Sequence, residues 1–349
     1  MSYESLLAQR LVPYVAGEQP KQQKMIKLNT NEHPYGCSPS VKTAIQKEMD
    51  QLRLYPDTEA TALREAIAET EGLKAEEIFC GNGSDEVLAF SFAAFFAGKD
   101  VYAPEITYSF YPVYANLFGV HYHPCVMNPD FSVNLDALKQ GGPIVLANPN
   151  APTSLWLDTD QLESLALYTQ SIDEILLIDE AYAAFAPETA KRLLCMDNVL
   201  IVRTFSKSHG LAGLRVGYAM GNPRLINALR RVRDSFNSYP VDRLAQAGAR
   251  AAVLDTEWTH STVNRIIQTR DHCYMTWKAS GFSVMKSATN FLFIKVASDD
   301  AAPVQRRLRE NGILVRHFNS EKLRPYLRIT VGTEDDMEQV TRELLNMEC

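Results

Sequence analysis

Between residues 101 and 220 the chain alternates short apolar, β-rich runs with longer stretches that suit helices, and this alternation constrains the fold more than any other feature. The runs lie at 101–103, 120–124, 144–147, 175–178, 199–204 and 215–220. Helical stretches at 84–97, 108–118, 158–170 and 187–196 lie before and between them. Apolar strands separated by helices build a parallel sheet whose two faces are covered by the crossovers. A parallel connection needs about a dozen residues or more. Too few lie between Thr204 and Arg215 for a crossover helix, so 215–220 is expected to run antiparallel to 199–204.

The flanks read differently. The first 40 residues are broken by Pro13, Pro20, Pro34 and Pro39 and suggest an irregular arm. Helical patterns follow at 39–50 and 58–71. After the alternating region come a helix at 223–236, a break at Tyr239 and Pro240, and more helix to about 280. The remainder reads as a strand at 291–296, a helix at 301–311, strands at 313–317 and 326–331, and a helix at 334–347. Segregated helices and strands imply a smaller α+β domain. The expected division is an arm at 1–40, a large domain at 41–250, and a small domain at 251–349 joined by part of the arm.

Composition excludes several classes. The chain is 46% hydrophobic and 22% charged, which argues against disorder. Its net charge of -7, with no basic run, argues against nucleic acid as a partner. The longest apolar stretch, 87–97, is interrupted by Ser91 and is too short for a bilayer. No CxxC pair occurs among the six cysteines, so neither a disulfide framework nor a zinc ribbon is expected. His121 and His123 alternate on a strand without a third ligand spaced to join them, so no metal is expected. The first ten residues, MSYESLLAQR, lack a basic-then-apolar signal pattern. The expectation is a cytoplasmic protein.

Ligands of open α/β sheets bind at the carboxyl ends of the strands. After 144–147 comes NPNAPT, after 175–178 comes Asp179-Glu180-Ala181-Tyr182, and after 199–203 come Thr204, Ser206 and Lys207. Upstream, GNGSDE at 81–86 joins an apolar start to a helix. Singly these read as a capped helix start, with Ser84 or Asp85 as cap, a solvated turn, and a surface lysine. Together they supply what one cofactor requires. A lysine amine can hold an aldehyde, a carboxylate can pair with a cationic ring nitrogen, and glycines at a helix N-terminus can cradle a phosphate. Those are the needs of pyridoxal phosphate. No GxGxxG or GxxxxGK[ST] motif is present, which argues against a nucleotide-binding α/β protein.

The segments LNTNEHPYG (28–36), RLYPD (53–57), GNGSDE (81–86), PEITYSFY (104–111), NPNAPTS (148–154), LLIDEAYAAF (176–185), RTFSKSHGLAGLRVGYA (203–219) and LRITVGT (327–333) carry a resemblance. The chain resembles the fold-type-I pyridoxal-phosphate aminotransferases and, within them, the histidinol-phosphate subgroup. The resemblance implies a mostly parallel seven-stranded sheet sandwiched by helices, a second α+β domain, and a homodimer with shared sites. It implies that Lys207 carries the cofactor and moves the proton, that Asp179 faces the ring nitrogen, and that Tyr182 bonds the ring's phenolic oxygen. Tyr108 would stack on the ring. Ser84, Asp85, Thr204, Ser206 and Arg215 would hold the phosphate, with Tyr55 reaching it from the partner subunit. Arg328 would bind the substrate's anionic group, with Tyr14 and Arg316 gripping its phosphate. Asn29 and Glu32 would belong to an arm closing over the site. The chain departs from the family at Ala151, where an asparagine usually contacts the ring oxygen, and at Ser154, where glycine is usual. That contact is expected from Asn150 or Asn148. The implied activity is transamination of imidazole acetol phosphate by glutamate, giving histidinol phosphate and 2-oxoglutarate, in histidine biosynthesis. An aromatic transaminase or a threonine-phosphate-type decarboxylase of the same fold is the near alternative, and a non-catalytic cofactor-binding regulator the distant one.

Overall fold

The computed structural model of the chain describes residues 3–15, 17–20 and 25–346. Its strands, in chain order, are β1 (Ile26–Leu28), β2 (Ile78–Gly81), β3 (Asp100–Pro104), β4 (His121–Cys125), β5 (Ile144–Ala147), β6 (Leu176–Asp179), β7 (Val199–Thr204), β8 (Gly217–Gly221), β9 (Ser283–Val284), β10 (Phe291–Lys295), β11 (Ile313–His317) and β12 (Tyr326–Thr330).

Seven strands form one sheet in the order β2-β8-β7-β6-β5-β3-β4. The strands from β7 to β4 are parallel. Only β8 opposes its neighbours, antiparallel to both β7 and β2, as the short connection from Thr204 requires. Successive residues of a strand face opposite sides of a sheet, and here both sides are apolar. Ile144, Leu146, Leu176, Ile178, Val199 and Ile201 fill one core. Val145, Leu177, Leu200 and Val202 fill the other. Each such side chain, fully buried, contributes about 1.5–3 kcal/mol. This two-sided demand is why the strands read as continuous apolar runs.

Helices start where the sequence supplies caps. Ser38 precedes Pro39, Asn222 precedes Pro223, and the Asp158, Asp242 and Thr333 side chains accept N–H groups of the following turns. The expected helix to about 280 is two helices, Arg243–Leu254 and Thr256–Ala279, because Asp255 ends one and caps the other through the Trp258 N–H. The stretch at 187–196 is only a 3-10 helix, Ala190–Cys195. The helix Gly83–Ser91 gives way to a π-helical turn over Phe92–Phe96. The C-terminal helix, Glu334–Leu345, stops short of the expected Met347, which lies outside the described residues.

A second sheet runs β1-β11-β12-β10-β9. The arm is therefore not wholly irregular: Ile26–Leu28 pairs in parallel with Ile313–Val315. Trp277, Phe291, Leu292 and Ile294 centre a separate core on this sheet. Among the described residues no helix is long and apolar enough to cross a membrane.

Candidate active site

Register places the site. Ala147 lies opposite Asp179, and Asp179 opposite Val202, so the parallel strands β5, β6 and β7 end along one edge. There a cavity of about 410 Å³ is lined by Ser84, Asp85, Tyr108, Asp179, Tyr182, Thr204, Ser206, Lys207 and Arg215, with Thr30 and Glu32 of the arm. The separated segments GNGSDE, DEAY and TFSK thus meet at one place.

Asp179 is buried at its strand end. Its carboxylate accepts the Tyr111 hydroxyl at 3.0 Å and the Ala181 N–H at 3.1 Å. Burial pushes its pKa up to about 7, against these hydrogen bonds. No ion pair to it occurs among the described residues' salt bridges. Lys207 Nζ donates to the Thr30 carbonyl at 3.0 Å. Burial, and next the charge of Arg328, bring the amine down to about 8. The Tyr182 ring centroid lies 5.8 Å from Lys207 Nζ. The Asn31 amide donates to the Tyr182 hydroxyl at 2.8 Å.

The anion cradle is built by close backbone approach. A Cβ on Gly217 of β8 would lie 2.2 Å from the Ser84 nitrogen, so only glycine lets the helix N-terminus rest there. Gly83 has φ +81 and Arg215 has φ +52, both left-handed. Arg215 Nη2 donates to Asp85 at 2.8 Å, and the Tyr108 hydroxyl donates to the same carboxylate at 2.7 Å. Asp85 is thus the counter-ion of Arg215, and its carboxylate cannot itself hold an anion. What remains for a phosphate is the helix N–H groups, the Ser84, Thr204 and Ser206 hydroxyls, and the Arg215 guanidinium.

The second sheet adds two arginines, of which Arg328 is close enough for its charge to act on Lys207 and Tyr182. Arg316 and Arg328 are cross-strand partners on β11 and β12. Like charges so placed repel unless an anion lies between them. Arg328 is held 5.3 Å from the Phe291 ring centroid and donates to the Asn29 carbonyl at 3.0 Å. Its Nε is buried without an acceptor, and burial lowers the guanidinium's pKa. Tyr14 stacks on Phe110 at 4.3 Å. Asn29 donates to the Glu18 carbonyl at 2.8 Å, and Glu32 accepts from Lys27 at 2.6 Å.

Other expected residues lie elsewhere. The Asn150 amide donates to the Ile106 carbonyl and the Thr153 hydroxyl, and the Asn148 amide is closed by the Leu157 backbone. Both are loop-bracing groups; the residue of this loop that lines the cavity is Ala151. Tyr55 is 78% exposed and stacks on Tyr239, outside its own chain's cavity. Asn31 and Tyr111, within LNTNEHPYG and PEITYSFY, also belong to the site, although sequence alone did not single them out. The three-residue spacing of Tyr108 and Tyr111 is the available signal for the latter, since a tight turn between them leaves the ring centroids 5.7 Å apart.

The residues present fit pyridoxal phosphate. A buried carboxylate without a cation suits a protonated ring nitrogen, an amine with a lowered pKa suits an aldehyde, and the cradle suits a phosphate.

Comparison with known proteins agrees. The profile of aminotransferase class I and II matches residues 23–344. Histidinol-phosphate aminotransferase of Gluconacetobacter diazotrophicus is 48% identical over 97% of this chain and 96% of its own. That of Acetobacter pasteurianus is 46% identical over 99% and 98%. Among solved structures, histidinol-phosphate aminotransferase from Sinorhizobium meliloti in complex with pyridoxal-5'-phosphate superposes with a TM-score of 0.88, at 26% identity, over 100% of this chain and 99% of that one.

Proposed function

The chain belongs to the class I and II aminotransferases, and from that premise we propose that it exchanges an amino group between histidinol phosphate and 2-oxoglutarate. The products are imidazole acetol phosphate and glutamate; the biosynthetic direction is the reverse. The observation that carries this reading is Arg328, whose charge acts on the Lys207 amine, paired across the strands with Arg316. Two guanidiniums there suit a donor with a phosphate at one end and an acceptor with two carboxylates.

Pyridoxal phosphate is the cofactor of this family, and when bound it supplies an aldehyde for the amino group and an electron-withdrawing ring. Asp179, oriented by Tyr111 and the Ala181 N–H, would hold the proton of the ring nitrogen. Ser84, Thr204, Ser206 and Arg215, which line the cavity, would grip the phosphate, and Tyr108 would wall the ring. Lys207 Nζ would hold the cofactor through its aldehyde and would move a proton at the substrate carbon. Arg328 holds an anionic substrate group in both half-reactions, while Arg316 and Tyr14 hold the donor phosphate. We read the enzyme as a cytoplasmic homodimer in which Tyr55 serves the partner's site. The described cysteines, all free thiols, suit a reducing compartment.

Donor profiling tests the substrate. Histidinol phosphate should exceed phenylalanine, tyrosine and threonine phosphate in kcat/KM. Arg316→Ala should lower that value for histidinol phosphate roughly 10- to 100-fold, the scale of one charge-assisted hydrogen bond, and lower glutamate turnover much less. A wild-type preference for phenylalanine would favour an aromatic transaminase instead.

A further inference from the structure

Residues 29–31 of the arm touch three groups of the site in succession. The Asn29 carbonyl accepts from Arg328, the Thr30 carbonyl from Lys207, and the Asn31 amide donates to Tyr182. The last contact determines where a proton lies. The Thr330 hydroxyl accepts the Asn31 backbone N–H at 3.0 Å, so its own proton is free to go to Asn31 Oδ1, 3.1 Å away. With Oδ1 occupied, the amide nitrogen is the atom that faces Tyr182, 2.8 Å from its oxygen. Asn31 and Thr330 are both 1% exposed, so no solvent reorders this chain of bonds. A phenol that accepts on one side turns its own O–H to the other. Here the other side is the cavity. The neighbouring loop offers no competing side-chain donor, because Ala151 lines the cavity, the Asn148 amide donates to the Leu157 carbonyl, and the Asn150 amide donates to the Ile106 carbonyl and Thr153.

We infer that Asn31 is a positioning residue that, backed by Thr330, holds the Tyr182 hydroxyl proton toward the cavity, and so makes Tyr182 the donor that stabilises an anionic oxygen on the bound cofactor ring. This rests on the proposed function in requiring that pyridoxal phosphate occupies the cavity. It gives the arm a chemical role beyond covering the site, since the donor strength of Tyr182 depends on a residue three positions beyond β1.

The test is a pH titration of cofactor colour in the loaded enzyme, in a four-member cycle: wild type, Asn31→Gly, Tyr182→Phe and the double variant. Asn31 has φ +58, which glycine adopts freely; Asn31→Ala serves as an independent second variant. A donor to the ring oxygen favours the deprotonated chromophore, so its loss raises the apparent pKa. Asn31→Gly should raise it by about 0.5–1 pH unit, the scale of one hydrogen bond. In the Tyr182→Phe background the same change should add almost nothing. Equal shifts in both backgrounds, or none in either, would overturn the inference while leaving the proposed function intact. A wild-type protein that binds no pyridoxal phosphate would overturn both.

Discussion

At the scale of single residues, the site keeps two ionisable groups where burial disfavours their charge. Burial brings Lys207 from an ordinary 10.5 down to about 8. Only a neutral amine attacks an aldehyde, and its fraction grows tenfold per pH unit below the pKa. The rate at which cofactor-free protein takes up pyridoxal phosphate should therefore climb to about pH 8 and then level. A rate still climbing tenfold per unit at pH 10 would contradict the lowered amine pKa. Asp179 is shifted the other way, from 3.8 to about 7. Between those values the folded, cofactor-free chain binds a proton that the unfolded chain does not. The resulting stabilisation is complete below about pH 4 and is lost as pH rises through 7. Asp179→Asn removes the titration and keeps the shape. Its cofactor-free form should gain Tm relative to wild type between pH 5 and pH 8. Loaded, it should lose activity about 10- to 1000-fold, the equivalent of the one to three pKa units that an opposite charge contributes. A Tm difference that is flat with pH would show that Asp179 carries no such burden.

At the scale of elements, backbone approach matters as much as side chains. The helix Gly83–Ser91 can present its N–H groups because Gly217 of β8 lacks a side chain, and Gly217→Ala would put a carbon 2.2 Å from the Ser84 nitrogen. Such overpacking costs about 1–3 kcal/mol. The helix start would shift, so affinity should fall for pyridoxal phosphate and change little for pyridoxal, which lacks the phosphate. Equal losses for both would place the damage elsewhere. The reversal of β8 was legible in the sequence because it follows from a residue count, and the buried strands because both faces demand apolar side chains. β1 was not legible: three residues, Ile26–Leu28, are too few to show a period, and their partner β11 lies almost 300 positions away. Nor was the break at Asp255, where helical periodicity runs on either side and only a capping side chain marks the joint. Asn31 shares that invisibility, since its partners Tyr182 and Thr330 come from distant elements.

At the scale of the whole molecule, one chain leaves conspicuous apolar surface. Met49, Leu52, Leu54 and Tyr55 are 45–78% exposed within one short segment, and Tyr55 stacks on Tyr239, itself 41% exposed beside the 78% exposed Phe236. Exposed apolar side chains grouped in this way mark association surfaces, and here they include the residue assigned to the partner's site. That assignment came from resemblance alone, since nothing in spacing or periodicity links Tyr55 to Lys207. It has a sharp test. Lys207→Ala and Tyr55→Phe proteins, each impaired, are unfolded together and refolded as a mixture. If each site takes its lysine from one protomer and its tyrosine from the other, a hybrid dimer holds one site with both lesions and one with neither. Random pairing makes half the dimers hybrid, and half of their sites intact, so activity should recover to about a quarter of wild type. If Tyr55 serves its own chain's site, every site in the hybrid carries a lesion and mixing recovers nothing. Sedimentation of the wild-type protein closes the argument, because a fully active monomer cannot contain a shared site.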